Sequence, residues 1–147
     1  MNKTFEFDYF LLLAKKLLSN KNLFEDSNCQ GVYRTVINRA YYAAYHHAKL
    51  FLEINHNFKT REFNEETGKM ENKDGLSEHV LVFKGLKEIS KKEKKLKPQF
   101  YSQASRLQNL FKLRKDADYE ENVIFKEKQA KDSIEVASSI INFLKFN

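Results

Sequence analysis

Apolar positions recur along most of this chain at the three-and-four spacing that marks one face of an α-helix. Phe10, Leu13, Ala14, Leu17 and Leu18 predict a first helix from about Thr4 to Ser19, with Thr4 placed to cap it and Lys15 and Lys16 on the wet side. After a polar connection over Asn20–Asn28, in which Asp26 or Ser27 is placed as a cap, a long second helix is predicted from about Cys29 to Ile54. Its broad apolar face is Val36, Ile37, Ala40, Tyr41, Ala44, Ala48 and Phe51. Asn55–Gly75 is polar, carries two of the glycines and loses the periodicity, so it reads as a long, mobile loop.

A third helix is expected after Ser77, with Val80, Phe83, Leu86 (or Lys87) and Ile89 (or Ser90) inward. It leads into the dense basic run Lys91–Lys97. Pro98 is suited to open a fourth helix, which carries Phe100, Ala104, Leu107, Leu110 and Phe111 and reaches Arg114. In the last helix, from about Asn122 to Phe146, Ala130, Ile134, Ala137, Ile141 and Leu144 repeat at coiled-coil-like spacing. The expectation is an all-α, up-and-down bundle of four to five helices, one domain over residues 1–147 with a polar loop at about 55–75.

Composition supports this and narrows the partners. Only 4 Gly and 1 Pro occur in 147 residues, which argues against a turn-rich β-fold. Lysine and arginine number 26 against 20 acidic residues, a net charge of +6, so a polyanion such as RNA fits as a partner. The lone Cys29 excludes an internal disulfide framework. The apolar run Tyr9–Leu13 is too short for a signal core or a membrane span, and a cytoplasmic protein is expected.

Two stretches carry candidate chemistry. Metal-binding and phosphate-loop patterns are absent from the sequence, so neither metal nor cofactor is expected. On the second helix Arg39 and His46, seven residues apart, share a stripe beside the apolar face, with Tyr42 and Ala43 between them. A cation and an imidazole so placed can grip a phosphate and move a proton. The plainer reading is a structural pair, with Arg39 on an acidic residue of another helix and His46 in a hydrogen bond. In the second stretch Arg114 precedes Asp118 by one helical turn, the spacing of an ordinary internal ion pair. Lys91, Lys92, Lys94, Lys95 and Lys97 are candidates for tracking an RNA backbone, or simply a solvated segment.

Taken together, Arg39-Ala40-Tyr41-Tyr42-Ala43-Ala44-Tyr45-His46, then His79-Val80 and Phe83, then Leu113-Arg114 and Ala117-Asp118-Tyr119 resemble the small stand-alone HEPN proteins of bacteria and archaea. The resemblance implies a dimerising helical bundle, often beside a nucleotidyltransferase partner, in toxin–antitoxin or phage-defence settings. Active members are metal-independent endoribonucleases whose Arg holds the scissile phosphate and whose His, after four to six intervening residues, assists the ribose 2′-hydroxyl. Arg114 matches the Arg, but Tyr119 stands where the His is expected, and a tyrosine is a poor base at neutral pH. Cleavage would then draw on His46 for the imidazole, with Arg114 on phosphate and Arg39, Asp118 and Tyr119 positioning. That reading requires an exposed positive groove. A non-catalytic module that dimerises, or binds a nucleotidyltransferase, RNA or a nucleotide, requires the same residues to be buried in a satisfied network.

Overall fold

The computed structural model describes residues 6–25, 27–92 and 97–147. It is mostly helical, as the periodicity predicts, with five α-helices among the described residues: α1 (Asp8–Ser19), α2 (Gln30–His56), α3 (Glu78–Lys92), α4 (Lys97–Tyr119) and α5 (Glu127–Lys145). Single 3-10 turns occur at Lys21–Leu23, Ser27–Cys29 and Lys73–Gly75. Two short strands, β1 (Arg61–Asn64) and β2 (Lys69–Asn72), pair antiparallel. The caps expected from Thr4 and Asp26, and the side chains of Ser27 and Lys97, lie outside the described residues, as do Lys94 and Lys95. No helix among the described residues is long and apolar enough to cross a membrane.

The chain divides into two units, residues 1–47 with 106–147, and residues 48–105. The first contains α1, most of α2, the larger part of α4 and α5. Its core is Ala14, Val36, Ile37, Ala40, Tyr41, Ala44, Leu107, Ala137 and Ile140, all fully buried. The α5 heptad residues Ala130, Ile134, Ala137, Ile141 and Leu144 are all buried, and α1 packs on this helix. Leu13 departs from its expected place in the core: it is 45% exposed and Leu11 is buried instead, so the wet stripe of α1 includes Leu12 and Leu13.

Within this unit α2 and α4 run antiparallel, and the polar stripe Arg34–Asn38–Tyr42 reads out their register. Arg34 meets the chain at 116–123, Asn38 meets Asp118 and Tyr42 meets Arg114. Arg34 closes the end of α4. Its Nη1 donates to Ala117 O at 2.9 Å, and its Nη2 to Glu120 O at 2.8 Å and Val123 O at 2.6 Å. A guanidinium there satisfies orphan carbonyls and meets the negative end of the helix dipole. Gln30 holds the following link by a reciprocal amide pair, accepting from Phe125 N and donating to Phe125 O, each at 2.8 Å. With Phe125 thus fixed, residues 122–126 form a connection and α5 begins at Glu127 instead of near Asn122.

The second unit contains the end of α2, the hairpin, α3 and the start of α4. Ser77 caps α3 as its position predicts, accepting from Val80 N at 3.3 Å. Phe83, Leu86, Ile89 and Phe100 are buried. The segment expected to be a mobile loop is a β-hairpin with Phe63 opposite Met70 and Glu62 opposite Glu71. Local chemistry closes it. Asn64 O accepts from Gly68 N at 2.8 Å, Asn64 Oδ1 accepts from Glu66 N at 2.9 Å, and Gly68 supplies φ +68°. Its base is tied to helices of the same unit. Thr60, 6% exposed, donates to Glu78 Oε1 at 3.0 Å, and Phe58 sits so close to Gly85 that a Cβ there would lie 2.9 Å from the ring.

Candidate functional site

The predicted residues Arg39, His46, Arg114 and Asp118 fall into one connected cluster in the first unit, and Tyr42 is its hub. The Tyr42 ring centre lies 5.7 Å from the Arg39 guanidinium carbon, 5.5 Å from that of Arg114 and 5.9 Å from the His46 ring. Residues 39, 42 and 46 come together because they lie three and four apart on α2. Arg114 is brought by the antiparallel pairing of α4.

Arg114 is only 6% exposed. Its Nη1 donates to Asp118 Oδ2 at 3.1 Å, one turn along α4. The guanidinium is clad by Phe111 at 5.0 Å, Tyr41 at 5.4 Å and Tyr42 at 5.5 Å, in range for cation–π attraction. Its Nε is buried with no hydrogen-bond partner. Burial also pushes the Tyr41 phenol well above its ordinary pKa, with Tyr45 adding to the shift, so Tyr41 is neutral beside the cation.

Asp118 is shared. Its two oxygens also accept from Asn38 Nδ2 at 3.1 and 3.0 Å. Asn38 passes the network on through Oδ1, which accepts from Arg39 Nε at 2.8 Å and from Arg39 Nη2. The Arg39 guanidinium stacks over Phe10 at 4.7 Å. His46 is held between aromatic faces, with Phe7 stacked at 3.9 Å and 13° and Tyr45 edge-on at 5.0 Å. The line Arg114–Asp118–Asn38–Arg39 is therefore continuous, and rings cover both ends.

Tyr119 stands apart from this cluster, 71% exposed on the last turn of α4. It follows Asp118 directly, and one helical step of about 100° swings it off the stripe. Lys91 and Lys92 are exposed at the end of α3, in the other unit.

Sequence reasoning left Asn38, Tyr42 and the α1 aromatics without a role. The signal was there for the first two: Arg34, Asn38 and Tyr42 recur every four residues along the polar edge of α2, the spacing of a stripe that reads a neighbouring helix. Nothing local in the sequence pairs Phe7 or Phe10 with α2.

A second polar junction joins α1, α2 and α5. Asp8 Oδ1 lies 2.6 Å from His47 Nε2, and Asp8 Oδ2 accepts from Lys145 Nζ at 3.3 Å. Partial burial pushes the Asp8 carboxyl up, but the bonds and charges of His47 and Lys145 outweigh it and hold its pKa below the ordinary aspartate value.

No protein-family model, characterised protein or solved structure matches this chain. The cluster is therefore read from its own geometry.

Proposed function

We propose that this chain is a HEPN-type helical subunit of RNA-linked function that works by binding, through the bundle, and not by cutting RNA. The observation that carries the reading is the state of Arg114: 6% exposed, paired with Asp118 and walled by three aromatic rings. A phosphate-gripping arginine must present its donors to solvent. Here Asp118 is bound by both Asn38 and Arg114, and His46 is pressed between rings where a proton shuttle needs room. Such a network favours fixing the register of α2 against α4 over chemistry on a substrate. The partners suited to this role are a second copy of the chain, a nucleotidyltransferase-type protein or RNA, the last favoured by the +6 charge.

One observation favours the catalytic reading, that of a metal-independent endoribonuclease in a toxin–antitoxin or defence system. Arg39, His46 and Arg114 share one aromatic hub, and the buried Nε of Arg114 has a donor to spare. In that case Arg114 would hold the phosphate and His46 would serve as acid or base.

Incubating the pure protein with a mixed RNA pool and a chelator separates the two. The binding reading expects no cleavage by folded wild type, and RNA retention or partner-dependent sedimentation unchanged in His46→Ala. Metal-free cleavage that disappears in both Arg114→Ala and His46→Ala, with circular dichroism unchanged, would overturn it.

A further inference from the structure

Charge is unevenly spread along the second unit. Residues 84–97 hold seven lysines and two glutamates, so five of the chain's six net positive charges lie in this one stretch. Residues 98–105, the part of α4 that follows in the same unit, hold no carboxylate. The remainder of the unit does not offset this excess. In the hairpin segment 59–74 five carboxylates stand against four cations, which leaves little field. Glu78, at the far end of α3, is occupied by Lys49 at 3.6 Å and Thr60 at 3.0 Å, and Glu53 lies 4.0 Å from the same lysine.

On α3 itself Lys84, Lys87 and Lys91 are three and four residues apart and so share one stripe, with Lys92 at its edge. Lys84, Lys91 and Lys92 are exposed, and none has a carboxylate partner among the described residues. Glu88, beside the stripe, is the one carboxylate described on this part of the helix. Lysines elsewhere are matched: Lys21 and Lys131 share Glu127, and Lys145 meets Asp8. The negative end of the helix dipole accounts for Lys91 and Lys92 in the last turn. It does not account for Lys84 and Lys87, whose like charges one turn apart weaken a helix. An exposed ring stands next to this stripe. Tyr101 of α4 is 54% exposed, and the Lys87 Nζ lies 5.4 Å from its ring centre. The preceding Phe100 is buried, so the core takes one ring of the pair and the solvent the other.

We infer that this face of α3 and α4 binds single-stranded RNA, with Lys84, Lys87 and Lys91 along the phosphates and Tyr101 against an unpaired base. Cations in a row attract the backbone whatever its sequence, and a tyrosine stacks on any base that pairing leaves open. Duplex RNA keeps its bases stacked inside and offers the ring nothing. An acidic protein segment answers the lysines alone. The choice of RNA rests on the binding reading above. The placement rests on α3 and α4, apart from the arginine cluster.

The test titrates the full chain with a labelled oligouridylate by fluorescence anisotropy, over a range of salt and with a chelator present. Duplex RNA and a polyglutamate peptide serve as comparators, and wild type is expected to bind the single strand more tightly than either. Tyr101→Ala is expected to lower that affinity at least about fivefold and leave its salt dependence unchanged. Lys84→Gln with Lys91→Gln is expected to lower affinity and to flatten the slope of log affinity on log salt by about 1.4. Lys16→Gln with Lys128→Gln removes the same charge from exposed positions of the other unit and is expected to cost far less. Equal losses in the two double variants would overturn the inference, as would a Tyr101→Ala without effect, polyglutamate bound as tightly as RNA, or no RNA binding by folded wild type. RNA bound equally by every variant would remove this surface and keep the binding reading. Metal-free cleavage, with the α3 and Tyr101 variants still weakened, would overturn that reading and keep the surface.

Discussion

The arginine cluster and the hairpin treat charge in opposite ways. In the cluster a guanidinium is almost fully withdrawn from water, and every neighbour compensates it: a carboxylate, three ring faces and, through Asp118, an asparagine. In the hairpin carboxylates stand in water opposite one another, with only Glu71 compensated by local hydrogen bonds. A buried charge is expensive, so its surroundings are committed to it, and the protein loses stability if one member goes. An exposed charge costs little, so it is free to be used on something else. The cluster is therefore where substitutions should cost folding, and the hairpin is where charge substitutions should cost little.

The largest effect should come from Asp118→Ala. It strands the Arg114 guanidinium at 6% exposure and removes the acceptor of Asn38 together with it. A loss of about 3 kcal/mol is expected, at the lower end for a broken buried pair because Asp118 itself reaches solvent. Urea denaturation followed by circular dichroism measures it. A loss below about 0.5 kcal/mol would place Asp118 with ordinary surface ion pairs and remove the contrast between the regions.

These contrasts were legible in the sequence to different degrees. The helices were, because burial at three-and-four spacing leaves its record in residue type: the seven α2 positions assigned inward, Val36 to Phe51, are all buried. The ion pair of Arg114 with Asp118 was legible too, since one helical turn makes them neighbours whatever else the chain does. The link from Asp118 to Asn38 and Arg39 was not, because it depends on the register of α2 on α4, and no local pattern states a register. Tyr119 was misleading for a related reason: motif position put it with Arg114, and helix geometry turns it into solvent. The hairpin was hidden because both its faces lack a buried stripe, so the alternation that reveals a strand was absent. Its evidence lay in the turn, where Asn64 and Gly68 supply the acceptor and the left-handed residue.

A middle-sized effect should come from the anchor between these extremes. In Gly85→Ala the new methyl would meet Leu52 Cδ1 and Phe58 Cε2 at 2.9 Å, both on side chains packed in the same unit. Overpacking of this kind costs about 1–3 kcal/mol, and the better helix propensity of alanine returns about 1 kcal/mol. A net destabilisation of about 1 kcal/mol is expected. Amide exchange in residues 61–72 should rise with it if Phe58 holds the hairpin base. Unchanged exchange would mean that the hairpin is held by Thr60 and Glu78 alone.

The junction at Asp8 should give a smaller, pH-dependent effect. Its folded pKa is depressed, so its contribution is fully present above the unfolded value and is lost as pH falls through the lowered folded one. The loss should therefore begin near the ordinary aspartate pKa and continue below it. Because the Asp8 side chain is 46% exposed, solvent screening keeps the contribution under about 1 kcal/mol. Asp8→Asn should lower neutral-pH stability by this amount and remove this part of the acid limb, so that variant and wild type converge in acid. A wild-type acid limb that Asp8→Asn does not change would locate acid sensitivity elsewhere.

The smallest effect should fall on the hairpin, and its sign is the informative part. Glu62→Lys turns the Glu62–Glu71 cross-strand repulsion into attraction, which adds about 0.2–0.5 kcal/mol to the hairpin. The substitution is fully solvated, so nothing in the interior opposes it. Thermal unfolding should show a midpoint unchanged or slightly raised, the opposite of the result for Asp118→Ala. If Glu62→Lys instead lowers the midpoint by as much as Gly85→Ala, the glutamate supports the hairpin by some contact of its own. The division between a committed interior charge and an uncommitted surface one would then not hold in this protein.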